Sequence, residues 1–213
     1  MIYNLNPQKT ETTQIKIGVL GGTFDPPHLG HLKIAEAAIE KLSLAEVMFA
    51  PAGQPPHKDL EKISSVEDRV EMVRLAIAGN PRFTLSRIDV DRAGPAFTVE
   101  TLRMLRASFS DEIEIYFLMG LDSLAAILTW RAPAEIIRLC RLAVFDRPGV
   151  KADLDALEKQ LPGLRDRVEF VDSIALDISA HDIQRRMRAG ESIHDFVPPL
   201  VAAYIARAKL YRA

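Results

Sequence analysis

"IKIGVLGGTFDPPHLGHL", Ile15–Leu32, carries an apolar run, a Gly-Gly pair, two prolines and two histidines in eighteen positions. Ile15–Leu20 reads as a buried first strand. Gly21 and Gly22 let the backbone turn and come close to a ligand. Pro26 and Pro27 stiffen the connection and lead into a helix start near Leu29. That start offers unpaired N–H groups and the positive end of a helix dipole, which together attract phosphate. His28 and His31 are three apart and share one side of the first turn, with Gly30 between them too small to block an incoming group. A tight loop carrying two solvated histidines accounts for the same spacing, so the residues alone leave both readings open.

The rest of the chain repeats strand and helix. Helical apolar spacing at Leu32, Ala35, Ile39 and Leu42 predicts a helix over 31–42. A second strand is expected over 46–52 and an amphipathic helix over 65–79, with Val66, Val70, Val73 and Ile77 on one face. Further strands are expected over 82–90, 112–120, 141–149 and 167–173, and helices over 97–109, 179–191 and 198–211. Such alternation predicts an α/β fold: a doubly wound, mainly parallel sheet with helices on both faces. Ligands of these sheets bind beyond the carboxyl ends of the strands. Residues 51–65, "PAGQPPHKDLEKISS", read as a long loop.

Composition narrows the class. The chain has 213 residues, 48% apolar and 26% charged, with a net charge of −2. One globular domain over 15–213 is expected, with 1–14 as a loose N-terminal extension. The charge balance argues against nucleic acid as a partner. No apolar run reaches the roughly 20 residues of a membrane span. Cys140 is the single cysteine. It excludes an internal disulfide and a thiolate metal cluster, fits a reducing compartment, and reads as a small buried apolar residue. A soluble, cytoplasmic protein is expected.

The strand ends hold the polar candidates. His57 and Lys58 follow the second strand. Asp122 and Ser123 open a helix after 112–120, as caps or as hydrogen-bonding partners of a ribose or base. Trp130, the single tryptophan, suits core packing or stacking on a flat ring. Ser179 with Asp182 three residues on resembles a capping box and makes a second helix N-terminus at the same edge, followed by Arg185, Arg186 and Arg188. Neither of the common phosphate loops, G-x-x-x-x-G-K-[ST] or G-x-G-x-x-G, is present.

Taken together, "GGTFDPPHLGH" and "ISAHDIQRR" resemble the two signatures of nucleotidyltransferases that join a nucleoside monophosphate to an acceptor phosphate. "PPHK", "GLDSL", "TW" and "RPG" are similar to strings of bacterial nicotinate-nucleotide adenylyltransferases, in the same order. The resemblance implies a Rossmann-like nucleotidyltransferase fold and adenylyl transfer from ATP to nicotinate mononucleotide, giving deamido-NAD and pyrophosphate. It implies that Gly21, Gly22, Thr23, Phe24, His28, Gly30, His31, Asp122, Ser123, Ser179 and Arg185 bind ATP. His28, His31 and Lys58 would act in catalysis. Phe97, Thr98, Trp130, His57 and Lys58 would hold the nicotinate nucleotide. Mg²⁺ is expected on the ATP phosphates, with no metal site of the protein's own. The family's late motif has Arg where this chain has Gln184, so Arg185, Arg186 or His181 is expected to supply that charge. Three alternatives stay open at this point: another adenylyl- or cytidylyltransferase such as one acting on phosphopantetheine, a nucleotide-binding module without turnover, and a metal-binding protein built on the histidines.

Overall fold

A computed structural model describes residues 14–146, 149–172 and 178–212. The expected extension over 1–14 therefore lies almost wholly outside the described residues, as does the end of the strand expected to reach Ser173.

The chain runs β1 (Ile15–Gly22), α1 (Leu29–Leu42), β2 (Glu46–Pro51), α2 (Val66–Ile77), β3 (Phe83–Leu85), α3 (Thr98–Ser108), β4 (Ile113–Gly120), α4 (Leu121–Ala125), α5 (Pro133–Leu139), β5 (Arg141–Phe145), α6 (Leu154–Gln160), β6 (Val168–Val171), α7 (Ala180–Arg188) and α8 (Pro199–Ala208). The six strands form one sheet in the order β3-β2-β1-β4-β5-β6, and all five pairings are parallel. The expected doubly wound α/β fold is present.

Alternation along the strands divides the core. Val47 and Phe49 of β2, with Tyr116 and Leu118 of β4, pack toward α1, α2 and α8. Ala50 of β2, with Ile115, Phe117 and Met119 of β4, pack toward α3 and α5. A strand buried on both faces needs apolar residues at both parities, which is why these segments read as continuous apolar runs. Among the described residues no helix is long and apolar enough to cross a membrane.

Three expectations need correction. The strand expected over 82–90 is only Phe83–Leu85. It is the sheet edge. Beyond it the chain turns, with Val90 N–H donating to the Arg87 carbonyl at 2.8 Å. α5 and α6, seven residues each, were not anticipated. At two turns they are too short to show a helical period; Pro133 at the first turn of α5 and Asp153, whose carboxylate caps α6 through Ala156 N–H, are their visible signals. Finally, Asp122 and Ser123 are not caps: Gly120 holds the N-cap of α4. Cys140 is buried as expected, and desolvation pushes its thiol up to about 12.

Candidate active site

The strand order reverses between β1 and β4, and the crevice of a doubly wound sheet opens there. A cavity of about 800 Å³ occupies that place. Its floor is the end of β1 and β4; its walls are the starts of α1, α3, α4 and α7 and the loop after β2.

The turn after β1 delivers the two histidines. His28 is the N-cap of α1 and His31 stands one turn in. Their rings stack with centroids 3.7 Å apart. Phe24, at a φ of 53°, sets its buried ring edge-on beneath His31 at 4.9 Å. The His28 N–H donates to His31 Nδ1 at 3.1 Å. That acceptor role leaves the proton of a neutral His31 on Nε2. Burial, and then the neighbouring His28, hold the His31 imidazole well below its usual range. A neutral ring with one fixed N–H is therefore the resting state. Gly30 makes room for the His28 ring: a Cβ at that position would lie 3.0 Å from His28 Nδ1.

This burial has a consequence for acid stability. An unfolded His31 takes up a proton near pH 6.5, whereas the folded ring resists it. Stability is fully present above that pH and falls as pH drops below it, by at most about 1.4 kcal/mol per pH unit. Urea unfolding at pH 7.5 and 5.5 is expected to show a larger loss in the wild type than in His31→Asn. Equal losses would rule the group out.

Most residues expected at the site converge on the cavity. Gly21, Gly22, Thr23, His28, Gly30 and His31 line it from β1 and α1; His57 and Lys58 from the loop; Phe97, Thr98, Asp122, Ser123, Trp130 and Ser179 from the other helix starts. Trp130 is half-buried and meets Phe117 edge to face at 6.1 Å. Ser179 caps α7, its hydroxyl accepting from Asp182 N–H at 3.1 Å.

Two do not line the cavity. Phe24 is packed in the core beneath the histidines, where it supports His31. Arg185 is held on Asp182, with Nη2 to Oδ1 at 2.6 Å, and leans toward Glu191. Arg186 grips the same two carboxylates, and His181 is exposed; neither lines the cavity. The expected substitution for Gln184 by one of these three is thus not what the geometry offers.

Gln184 has a different task. Its amide donates to the Asp25 carbonyl at 2.7 Å and to Asp25 Oδ2 at 3.0 Å. Asp25 is 4% exposed and gathers three elements, because Tyr211 donates to its Oδ1 at 2.6 Å and Ser64 N–H to its Oδ2 at 3.3 Å. Burial and the Asp25 charge raise the Tyr211 phenol, so it stays a proton donor. Arg69 stands beside this hub, 1% exposed. Its guanidinium donates to the carbonyls of Ser64, Thr23, Ala52 and Gly53 at 2.7–3.2 Å. The loops leaving β1 and β2 are thereby locked to each other, and with them the histidines. Gln184→Arg is expected to leave the KM for ATP unchanged and to register in the melting temperature, since the new side chain pairs with Asp25. A marked gain in ATP affinity would show that position 184 does reach the phosphates.

Sequence reading missed Asp25, Arg69, Tyr211, Asp89, Thr101 and Arg131. Asp89 is buried at the cavity wall, accepting from Thr101 Oγ1 at 2.7 Å and from Arg92 Nε at 2.8 Å. Arg69 had a signal: it lies three after Val66 and four before Val73, on the apolar face of α2, where an arginine must find internal partners.

Among the described residues no group of three His, Cys, Asp or Glu side chains stands ready for a metal ion. The arrangement provides a neutral His31 stacked on His28, two helix starts, Lys58, and an aromatic end at Phe97 and Trp130. The histidines, Lys58 and the aromatic pair all face one cavity.

Comparisons with known proteins identify the family. A cytidylyltransferase-like family model matches residues 19–186. A probable nicotinate-nucleotide adenylyltransferase of Thermomicrobium roseum is 47% identical over 197 residues, 92% of each chain. One from Dehalococcoides mccartyi is 42% identical over 198 residues, 92% of this chain and 97% of that one. A solved structure of Plasmodium falciparum nicotinic acid mononucleotide adenylyltransferase complexed with NaAD superposes with a TM-score of 0.76 at 18% identity, covering 92% of this chain and 97% of that one. That last likeness speaks for the fold.

Proposed function

The chain belongs to the cytidylyltransferase-like nucleotidyltransferases and, within them, to the nicotinate-nucleotide adenylyltransferases, and from that membership we propose how its own residues carry the reaction. The reaction is adenylyl transfer from ATP to nicotinate mononucleotide in NAD biosynthesis, giving deamido-NAD and pyrophosphate. An oxygen of the mononucleotide phosphate attacks the α-phosphorus, the bond to the bridging oxygen of the β-phosphate breaks, and pyrophosphate leaves with that electron pair.

The nucleophile needs no general base, because a phosphate monoester with a second pKa near 6 is largely a dianion at neutral pH. Charge is the obstacle. Two unit charges about 4 Å apart repel by about 4 kcal/mol at an effective dielectric near 20. Positioning and electrostatic stabilisation therefore do the catalysis.

His28 and His31 donate to the phosphate oxygens where charge accumulates. For His31 the donor is Nε2–H, since Nδ1 is occupied by the His28 backbone. Gly21, Gly22 and Thr23 bring the backbone close to ATP, and Gly30 leaves its approach open. Ser179 and the start of α7 hold the triphosphate; Asp122 and Ser123 hold the adenosine. Lys58 balances phosphate charge from the loop, with His57 beside it. Trp130 stacks on the pyridine ring, near Phe97 and Thr98. Asp89 is already engaged by Thr101 and Arg92, and among the described residues no built metal cage accompanies it. A Mg²⁺ ion carried in on the β- and γ-phosphates, held by ATP and water, would help pyrophosphate depart. Together with the buried free thiol of Cys140, this substrate pair suits a cytoplasmic enzyme.

The observation that carries the reading is the stacked pair of a neutral His31 and His28 at the start of α1, facing the cavity. Incubating the protein with ATP, Mg²⁺ and each pyridine mononucleotide, then separating products by mass, tests it. Deamido-NAD and equimolar pyrophosphate are expected. Bound ATP without product would leave only a nucleotide-binding module.

A further inference from the structure

Nicotinate differs from nicotinamide by a carboxylate in place of an amide. A site that selects the acid needs a cation where the pyridine ring ends, because uncharged donors serve an amide oxygen nearly as well. Among the described residues, the lysine and arginine that line the cavity are Lys58 and Arg131. Lys58 stands in the loop after β2 beside His57. Arg131 follows Trp130 directly, and its guanidinium carbon lies 4.9 Å from the centre of the Phe97 ring.

Other arginines around the site are committed. Arg92 is bound to Asp89, and Arg103 to Glu100 and Glu135. Arg131 has no carboxylate within ion-pair distance among the described residues; its recorded partner is the face of Phe97. A guanidinium resting on a ring is oriented without its N–H groups being consumed. Its free edge is a planar fork matched to a carboxylate. Phe97 thus holds Arg131 beside Trp130 with its donors open, where an aromatic acid stacked on the indole would present its charge.

The geometry points to Arg131 as the specificity-determining residue for the acceptor, recognising the nicotinate carboxylate and disfavouring the amide. This rests on the reading above that Trp130 and Phe97 form the pyridine platform.

The test is steady-state kinetics of the full chain, with ATP and either nicotinate or nicotinamide mononucleotide, on wild type, Arg131→Gln, Arg131→Lys and Trp130→Leu. Arg131 is exposed, so its variants are expected to fold with an unchanged melting temperature. Arg131→Gln should raise the KM for nicotinate mononucleotide by about 10- to 100-fold, the span of one lost charge-assisted contact, with kcat held. Its KM for nicotinamide mononucleotide should stay constant, so the preference collapses. Arg131→Lys should recover part of it. Trp130→Leu should weaken both substrates alike. An unchanged preference in Arg131→Gln, with Trp130→Leu weakening both, would overturn this inference alone and leave the platform standing. Trp130→Leu without effect on either substrate would overturn the platform and the inference with it. Wild-type protein idle on both mononucleotides would overturn the reaction itself.

Discussion

His31→Ala should turn over ATP and nicotinate mononucleotide about a hundredfold to a thousandfold more slowly than the wild type, the cost of deleting one preorganised donor aimed at developing charge. The effect is expected in kcat with little change in KM, because the contact strengthens as charge builds on the transferring group. His28→Ala should fall in the same range. The two losses are not expected to add. Each ring is the other's support at 3.7 Å, and the His28 backbone fixes the His31 proton. Removing either already disorders the pair, so the double variant should be little worse than the more damaged single one. Near-normal kcat in either single variant, with an intact circular-dichroism spectrum, would reject the role.

The second large effect is on stability. Arg69→Leu removes a guanidinium that satisfies four carbonyls and stands beside the Asp25 carboxylate, all in the interior. Leucine fills part of the space but leaves those acceptors dry and removes a positive charge that the Asp25 carboxylate feels. Breaking a buried charged constellation by removing one partner costs roughly 3–5 kcal/mol. For a chain of this size that is about 10 °C or more in melting temperature. Differential scanning calorimetry reads it directly; a shift of only a degree or two would mean that water replaces the guanidinium. In the same variant the turn from Gly22 to His28 loses its anchor at Thr23, so kcat should fall even at temperatures where the chain is folded.

Reading the chain from its residues succeeded where a feature is local. The β1 turn and the start of α1 lie within eighteen positions, and each carries its own reason: apolar parity, Gly for close approach, Pro for stiffness, the N-terminus for charge. Strand parity likewise exposed the buried sheet. It stopped where meaning depends on a distant partner. Gln184 looked like a missing cation because the resembled motif has Arg at that position; its actual partner, Asp25, is 159 positions away. The resemblance places Arg185 at phosphate, whereas its i,i+3 carboxylate Asp182 and Glu191 beyond the helix hold it. Phe24 looked exposed to ATP because a motif lists residues without saying which way they face. Arg131 passed unnoticed, as one arginine of many, until the fold laid it over Phe97.

The Asp25 hub sets a schedule for biosynthesis. Its contributors come from residues 25, 64–69, 184 and 211, and the Tyr211 contact spans 186 positions. A ribosome can have delivered the whole β1 turn, and most of the sheet, while the ring that fastens the turn has not been synthesised. Nascent and prematurely terminated chains that stop short of Tyr211 therefore carry the histidines without holding them in register, and competence waits for that residue rather than rising in proportion to length.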